Sequence, residues 1–364
     1  MKPYKILFLP GDGIGPEVLA QGERILKALE AKGIAAFEIS TGLVGGASTD
    51  VHGVPLTDET LNAAKAVDAV VLGAVGGPKW EKMPYHLRPE QALLSLRLGL
   101  DLFANLRPAV TYAALVNASS LKHEIVEGLN ILFVRELTGG MYFGEPRGIR
   151  TQDDGSRIGL NTHSYTTHQI QRVARTAFEL AAARGGKLCS VDKANVMEAG
   201  KLWREEVTAL HAAEYPNVKL TYMYADNCAM QLVRAPKQFD VILTDNLFGD
   251  ILSDEAGMLT GSLGMLPSAA LGEVRTNGTR AAMYEPIHGS APDIAGKNIA
   301  NPLATILSLA MMLRYTCNSE TGAKAIEHAV VSVLDTGFRT QDIFTEGTRL
   351  LSCSDMADAV VKAL

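Results

Sequence analysis

Asp250 and Asp254 stand four residues apart in the run Asn246-Leu247-Phe248-Gly249-Asp250-Ile251-Leu252-Ser253-Asp254-Glu255, shortly after the apolar stretch Val241–Thr244. On a helix that spacing puts both carboxylates on one face, where they repel each other. A hard divalent cation held between them and substrate oxygens removes the repulsion. Asp226 likewise follows an apolar stretch, Val218–Tyr224, and opens the helix-like run Asn227–Val233. An aspartate after a strand also serves as a helix N-cap, and Asp226 or Asp250 taken singly fits that role too. Three acids at the C-terminal ends of strands, however, stand where α/β folds place ligand crevices.

Positive charge recurs in similar places. Arg97 closes the helical pattern Pro89–Leu98, Arg107 ends the segment Asp101–Leu106, and Arg135 ends the apolar run Ile131–Val134. A guanidinium after a buried strand suits bidentate capture of carboxylate or phosphate. Each arginine alone is equally an ordinary surface cation; the three together match a substrate with two carboxylates. Lys193 follows another apolar stretch, and a lysine beside a metal and arginines has its pKa pushed down, which suits a general base. Tyr142 follows Thr138-Gly139-Gly140-Met141, a loop leading from the strand of Arg135. Lysine and tyrosine in such loops also serve purely structural roles.

Gly11-Asp12-Gly13-Ile14-Gly15-Pro16-Glu17 lies between a strand and a helix and invites a dinucleotide reading. The G-x-G-x-x-G fingerprint needs its third glycine where Pro16 stands. Proline is a good first helical residue, so the motif equally describes a tight strand–helix turn. The glycines let the backbone approach something closely, and Asp12 is a candidate cap of the helix that follows.

These residues are carried by alternating elements. Lys5–Leu9, Ala69–Leu72, Asn130–Arg135, Val218–Tyr224 and Val241–Thr244 read as buried strands. Pro16–Lys32, Pro89–Leu98, Thr166–Arg184, Glu198–Glu214 and Pro302–Tyr315 read as helices. The alternation predicts an α/β architecture with a largely parallel sheet. Met141–Thr162 departs from it: Gly-rich, polar, with a turn at Asp153-Asp154-Gly155-Ser156, it reads as a projecting hairpin. Its open edges are either solvated or covered by a partner subunit. With 364 residues, two domains are expected.

Composition removes several function classes. With 34 Lys+Arg against 40 Asp+Glu the net charge is −6, so there is no basic footprint for nucleic acid. No apolar run reaches the roughly 20 residues of a membrane span. Cys189, Cys228, Cys317 and Cys353 have neither C-x-x-C nor zinc spacing and read as free thiols of a reducing compartment, so a cytoplasmic location is expected.

Seven motifs in order then give a resemblance: GDGIGPE at 11–17, PEQALLSLR at 89–97, DLFANLRP at 101–108, VRELTGGMYFGEPRG at 134–148, VDKANVME at 191–198, FGDILSDEA at 248–256 and EPIHGSAPDIAGKNIANP at 285–302. The chain closely resembles the β-decarboxylating dehydrogenases, the isocitrate and isopropylmalate dehydrogenase family. The resemblance implies that family's own two-domain α/β fold with a mixed, largely parallel sheet, not a Rossmann fold. It implies a discontinuous first domain of about 1–102 and 261–364 with the NAD-binding loop. It implies a second domain of about 103–260 with the hairpin arm and the metal-binding acids. One departure is Gly257, where the family's run after the metal helix carries serine.

The implied reaction is NAD-dependent oxidation and decarboxylation of 3-isopropylmalate in leucine biosynthesis. Arg97, Arg107 and Arg135 would bind the malate carboxylates. Asp250 and Asp254, with Asp226 of the partner subunit of a homodimer, would hold Mg²⁺ or Mn²⁺ and the substrate. Lys193, also contributed across the dimer, would be the base and Tyr142 the proton donor. Glu285, His288, Gly289, Ser290, Ala291, Asp293, Ile294 and Asn301, with Asn195, would hold NAD. His288 and Asn301 would meet the adenine, Glu285 the nicotinamide ribose and Asp293 the adenosine ribose hydroxyls. NADP-using relatives carry a basic and an aromatic residue at the Asp293-Ile294 pair. Glu90, Leu93 and Leu94 share a helical face with Arg97 and would choose the substituent, the two leucines facing an isopropyl group. The leucines also fit an ordinary core.

Overall fold

A computed structural model describes residues 2–274 and 278–364. The chain divides into two compact units. The first comprises Met1–Leu102, Val110–Gly128 and Gly257–Leu364, and the second Phe103–Ala109 and Leu129–Ala256. The segment Val110–Gly128, expected in the second domain, thus groups with the first unit.

In the first unit five strands run in the order Phe37–Thr41, Tyr4–Gly11, Ala69–Ala74, Arg280–Pro286, Pro267–Val274. The first four are mutually parallel and the last is antiparallel. Every residue of Ala69–Ala74 is buried, as a parallel strand covered on both faces requires. The helix Leu303–Tyr315 has all residues from Leu303 to Leu313 buried. A helix apolar all round belongs inside a core. No described helix is long and apolar enough to cross a membrane.

In the second unit the order is Ala104–Val110, all but its last residue in this unit, then Asn130–Glu136, Val241–Thr244, Lys187–Asp192, Lys219–Tyr224. The last four are parallel, with Thr244 level with Arg135 and with Val191, and Asp192 level with Tyr224. That register delivers Arg135, Asp245-Asn246, Lys193 and Asp226 to one sheet edge, the carboxyl end of the strands. The helix Thr167–Ala183 starts with a reciprocal capping box between Thr166 and Gln169. The expected hairpin forms from Gly144–Thr151 and Arg157–Thr162, antiparallel and almost wholly exposed.

The glycine loop has a partner inside its own unit. Gly13 has φ +59°, and a Cβ there would lie 1.9 Å from the Ser290 carbonyl oxygen. Only glycine lets the loop touch the Glu285–Asn301 segment so closely. The Ile14 amide donates to that same carbonyl at 2.8 Å, and the Gly296 amide donates to Glu17 at 2.9 Å. The closely approached group is therefore backbone of the chain itself.

Asp12 does not cap the helix that follows it. That helix, Gly15–Ala31, begins at Ile14 with no side-chain cap. The buried Asp12 carboxylate instead accepts from the amides of Gly46 and Ala47, at the start of the helix Gly45–His52, and from Gly76, each at 2.8 Å. Burial lifts its carboxyl above the ordinary value, and the three amides pull it back. Sequence spacing pointed to the neighbouring helix because the real partners lie 34, 35 and 64 residues downstream. Asp12→Ala should strand these amides and cost about 2–4 kcal/mol, read as a lowered urea midpoint. An unchanged midpoint would show that the amides find water instead.

Candidate active site

The helix Asn246–Leu259, which lies in the second unit as far as Ala256, carries both acids, and Asp245 just before it accepts the Phe248 amide on Oδ1 at 2.8 Å, the bond of an N-cap. The capping role for Asp250 therefore falls away; Asp250 sits a turn into the helix. Its Oδ1 accepts from Arg135 Nη1 at 2.5 Å and lies 3.5 Å from Arg107 Nη2, while its Oδ2 accepts the Tyr142 phenol at 2.9 Å. Arg107 also donates to Asp254 at 2.8 Å, to Ser253 at 2.9 Å and to Asn105 at 2.8 Å. Arg135, only 1% exposed, rests its Nε and Nη2 on the Asn246 amide oxygen at 3.1 and 2.8 Å.

Both arginines are buried, whereas the carboxylates of Asp250 and Asp254 remain 34% and 55% exposed. Each acid is thus anchored from below and open to a ligand. Partly exposed carboxylate oxygens at helical spacing are a donor set that fits Mg²⁺ or Mn²⁺. Among the described residues of one chain, no three His, Cys, Asp or Glu side chains gather as a metal site. Burial, and then the Asp250 carboxylate, hold the Tyr142 phenol above its ordinary value against the pull of Arg135 and Arg107. A phenol so placed keeps its proton and can donate it.

Lys193 and Asp226 form their own pair. Lys193 Nζ donates to Asp226 Oδ1 at 2.5 Å, and this contact is the main reason the Asp226 carboxyl falls below its usual range. Asp226 lies in the first turn of the helix Ala225–Arg234, whose N-cap, Tyr224, makes no side-chain cap bond. Asp192, at the end of its strand, holds the lysine loop by accepting the Ala194 amide and two bonds from Arg204. Asn195 is exposed in the turn beyond.

In the first unit the helix Glu90–Gly99 buries Ala92, Leu96 and Arg97. Leu93 and Leu94 are only half-buried and Glu90 is exposed. The alternative of an ordinary core position for the two leucines therefore loses ground. Arg97 Nη2 donates to Glu285 Oε1 at 3.0 Å, a buried ion pair linking two expected site residues. In the loop beyond, Asp293 is exposed, while Ala291, Ile294 and Ala295 pack on Ile14, Val18, Ala300 and Cys353.

His288 Nε2 is buried with no partner. Burial lowers its pKa, so the neutral ring is favoured, and its Nδ1 lies 2.9 Å from the Gly289 carbonyl oxygen. Asn301 is less free. Its oxygen accepts the Leu303 amide at 2.9 Å, and its Nδ2 donates to Asp342 at 2.9 Å and points to Met265 Sδ at 3.5 Å. An adenine contact by this side chain has to share those atoms.

Two residues here lacked any local signal. Asn246 reads as the first residue after a strand, yet it holds Arg135 and donates to the Gly139 carbonyl at 3.1 Å. Asp342 stands far from every motif, yet binds Asn301, Ser262 and, through its other oxygen, Thr340. Gly257 has a local reason: a Cβ there would lie 2.3 Å from Leu266 Cδ1.

The chain as a whole has counterparts among known proteins. The model of the isocitrate/isopropylmalate dehydrogenase family matches residues 5–360. The chain belongs to the isocitrate/isopropylmalate dehydrogenase family. A protein named 3-isopropylmalate dehydrogenase from Rhodospirillum rubrum is 61% identical over 358 residues, spanning 98% of this chain and 96% of that one. One of the same name from Chromohalobacter salexigens is 62% identical over 360 residues, covering 99% and 98%. Among solved structures, isocitrate dehydrogenase from Methylococcus capsulatus superposes with a TM-score of 0.86 at 33% identity, covering 99% of each chain. As a member of this dehydrogenase family the chain is an oxidoreductase, and its fold is the family's α/β fold rather than a Rossmann fold.

Proposed function

We propose that this chain catalyses the NAD-dependent oxidative decarboxylation of (2R,3S)-3-isopropylmalate to 4-methyl-2-oxopentanoate and CO₂, a step of leucine biosynthesis. The observation that carries this reading is identity of about three residues in five, over nearly the whole chain, to proteins named for that activity. The half-buried pair Leu93 and Leu94 supplies the physical reason. An isopropyl group gains from such a surface, whereas the third carboxylate of isocitrate would meet two leucines and Glu90 unpaired.

In this reading Arg97, Arg107 and Arg135 take the malate carboxylates, Arg107 and Arg135 from buried positions within the second unit. Lys193 takes the proton of the 2-hydroxyl, directly or through water, as hydride leaves C2. After CO₂ leaves C3, Tyr142 delivers a proton to that carbon. Asp250, Asp254 and Asp226 would hold Mg²⁺ or Mn²⁺, which supplies acidification of the hydroxyl and stabilisation of the enolate charge. NAD supplies the hydride acceptor. Glu285, His288, Asp293 and Asn301, with Gly289, Ser290, Ala291, Ile294 and Asn195, would hold it. The exposed Asp293 carboxylate suits ribose hydroxyls and repels a 2′-phosphate.

The same reading makes the enzyme a cytoplasmic homodimer. Free, buried cysteines support the compartment. Exposed apolar side chains support the dimer: Ile149 and Ile158 on the hairpin, Met230 and Val233 on one helix, Ile251 on the acid helix. Lys193 and Asp226 then act in the active site of the partner subunit.

Turnover of purified protein against a panel of diacids, with NAD and with NADP, tests the assignment. Isopropylmalate with NAD should exceed malate by about a hundredfold in kcat/KM. Leu93→Ser with Leu94→Asn should remove most of that preference while sparing malate. Equal losses on both substrates would make the leucines core residues and withdraw their role in specificity.

Subunit mixing tests the shared site. Lys193→Ala and Arg107→Ala should each be poor enzymes. Co-refolded, half the dimers are mixed and each carries one intact site, so up to about a quarter of wild-type activity should return. No recovery despite proven exchange would place Lys193 in the site of its own subunit.

A further inference from the structure

The residues just after the hairpin make contacts that the proposed chemistry does not use. His163 directly follows the strand Arg157–Thr162. Its Nε2 lies 3.2 Å from Asp245 Oδ2, with both side chains more than nine-tenths buried. Asp245 is the N-cap of the acid-bearing helix, and its other oxygen holds the Phe248 amide. Two residues on, the Tyr165 hydroxyl accepts the Asn246 amide at 2.9 Å. The His163 and Tyr165 rings meet edge to face at 5.4 Å, and Tyr165 meets Trp203 the same way at 5.3 Å. A cavity of about 10 Å³ lies among His163, Tyr165, Asp192, Trp203, Asp245 and Phe248, and His163 Nδ1 is buried there without a protein partner.

Consecutive residues at the start of the acid helix are therefore each held by a side chain from the foot of the hairpin. Asn246 in turn holds Arg135, and Arg135 holds Asp250. Nothing in capping alone requires this, since Asp245 caps Phe248 with one oxygen and needs no histidine on the other. We infer that His163 and Tyr165 clamp the hairpin to the N-terminus of the acid helix, with His163 a positioning residue that sets Asp250 and Asp254 for the divalent cation. This rests on the cation assignment of the proposed function. Groups that orient metal ligands from behind change metal affinity by about 10–100-fold when lost. A hairpin fixed by a neighbouring subunit would thereby steady the acids as well.

The test uses the intact protein and two readouts. Mn²⁺ binding is followed by the electron paramagnetic resonance of free Mn²⁺, with isopropylmalate present and NAD absent. Hydrogen exchange is followed at the amides of residues 246–250. His163→Leu removes the ring nitrogen that faces Asp245, and Asp245→Ser keeps an N-cap but does not reach His163. His163→Gln retains an N–H at similar reach. The first two should weaken Mn²⁺ binding about tenfold or more and speed exchange at 246–250, while His163→Gln stays near wild type. Unchanged Mn²⁺ affinity in His163→Leu and Asp245→Ser would overturn the inference, as would His163→Gln shifting as far as His163→Leu. A wild type that binds no Mn²⁺ would strike the cation assignment itself. Exchange then judges the clamp alone, and unchanged exchange in His163→Leu overturns it.

Discussion

Two arginines are buried in the second unit, and the Asp250 carboxylate makes that burial possible. A guanidinium taken out of water costs several kcal/mol unless opposite charge and full hydrogen bonding replace the solvent. Asp250 serves Arg135 and Arg107 together, with Asn246, Asn105 and Asp254 completing their bonds. Such an arrangement stabilises the fold only weakly compared with an apolar core. Its result is a fixed array of cations and half-open carboxylates facing a common edge, which suits binding and orientation of a diacid.

The parallel sheet makes the array possible. Strands aligned with Thr244 level with Arg135, and Asp192 level with Tyr224, deliver their following residues to one edge. Loop residues would then wander were they not held by buried groups behind them. Glu136, fully buried, accepts from the Thr138 hydroxyl and from the amides of Thr138 and Gly139, shaping the loop that carries Tyr142. Asp192 does the same for the lysine loop through Ala194 and Arg204. Asp12 does so in the first unit. These acids behind the reactive residues shape backbone and leave the chemistry to others.

Much of the second unit was legible in the sequence because its signals are local. Apolar runs such as Val241–Thr244 and helical spacing such as Asp250 to Asp254 depend on neighbours along the chain. Long-range partners were not legible. Asp12 is by spacing a candidate cap of the helix that follows, yet its amides come from 46, 47 and 76. Asn246 and Asp342 gave no sign of the bonds they make across 111 and 41 residues. The strands Pro267–Val274 and Arg280–Pro286 carry little local signal, because Ala, Gly and Ser dilute the apolar pattern of the first and Arg280, two alanines and Glu285 that of the second. The resemblance supplied roles for Lys193 and Asp226 that spacing alone left open.

Asp250 is proposed to do two things at once, neutralise buried arginines and present oxygen to a divalent cation. Asp250→Asn separates these from simple packing, because it keeps the shape and removes the charge. Turnover of isopropylmalate with NAD as Mn²⁺ is titrated is the direct measurement. Wild-type activity should be abolished by excess EDTA. An Asp250→Asn variant should be at least about a hundredfold lower in kcat/KM even at saturating Mn²⁺. Wild-type turnover that survives excess EDTA, or a variant within about threefold of wild type, would contradict this double role of Asp250.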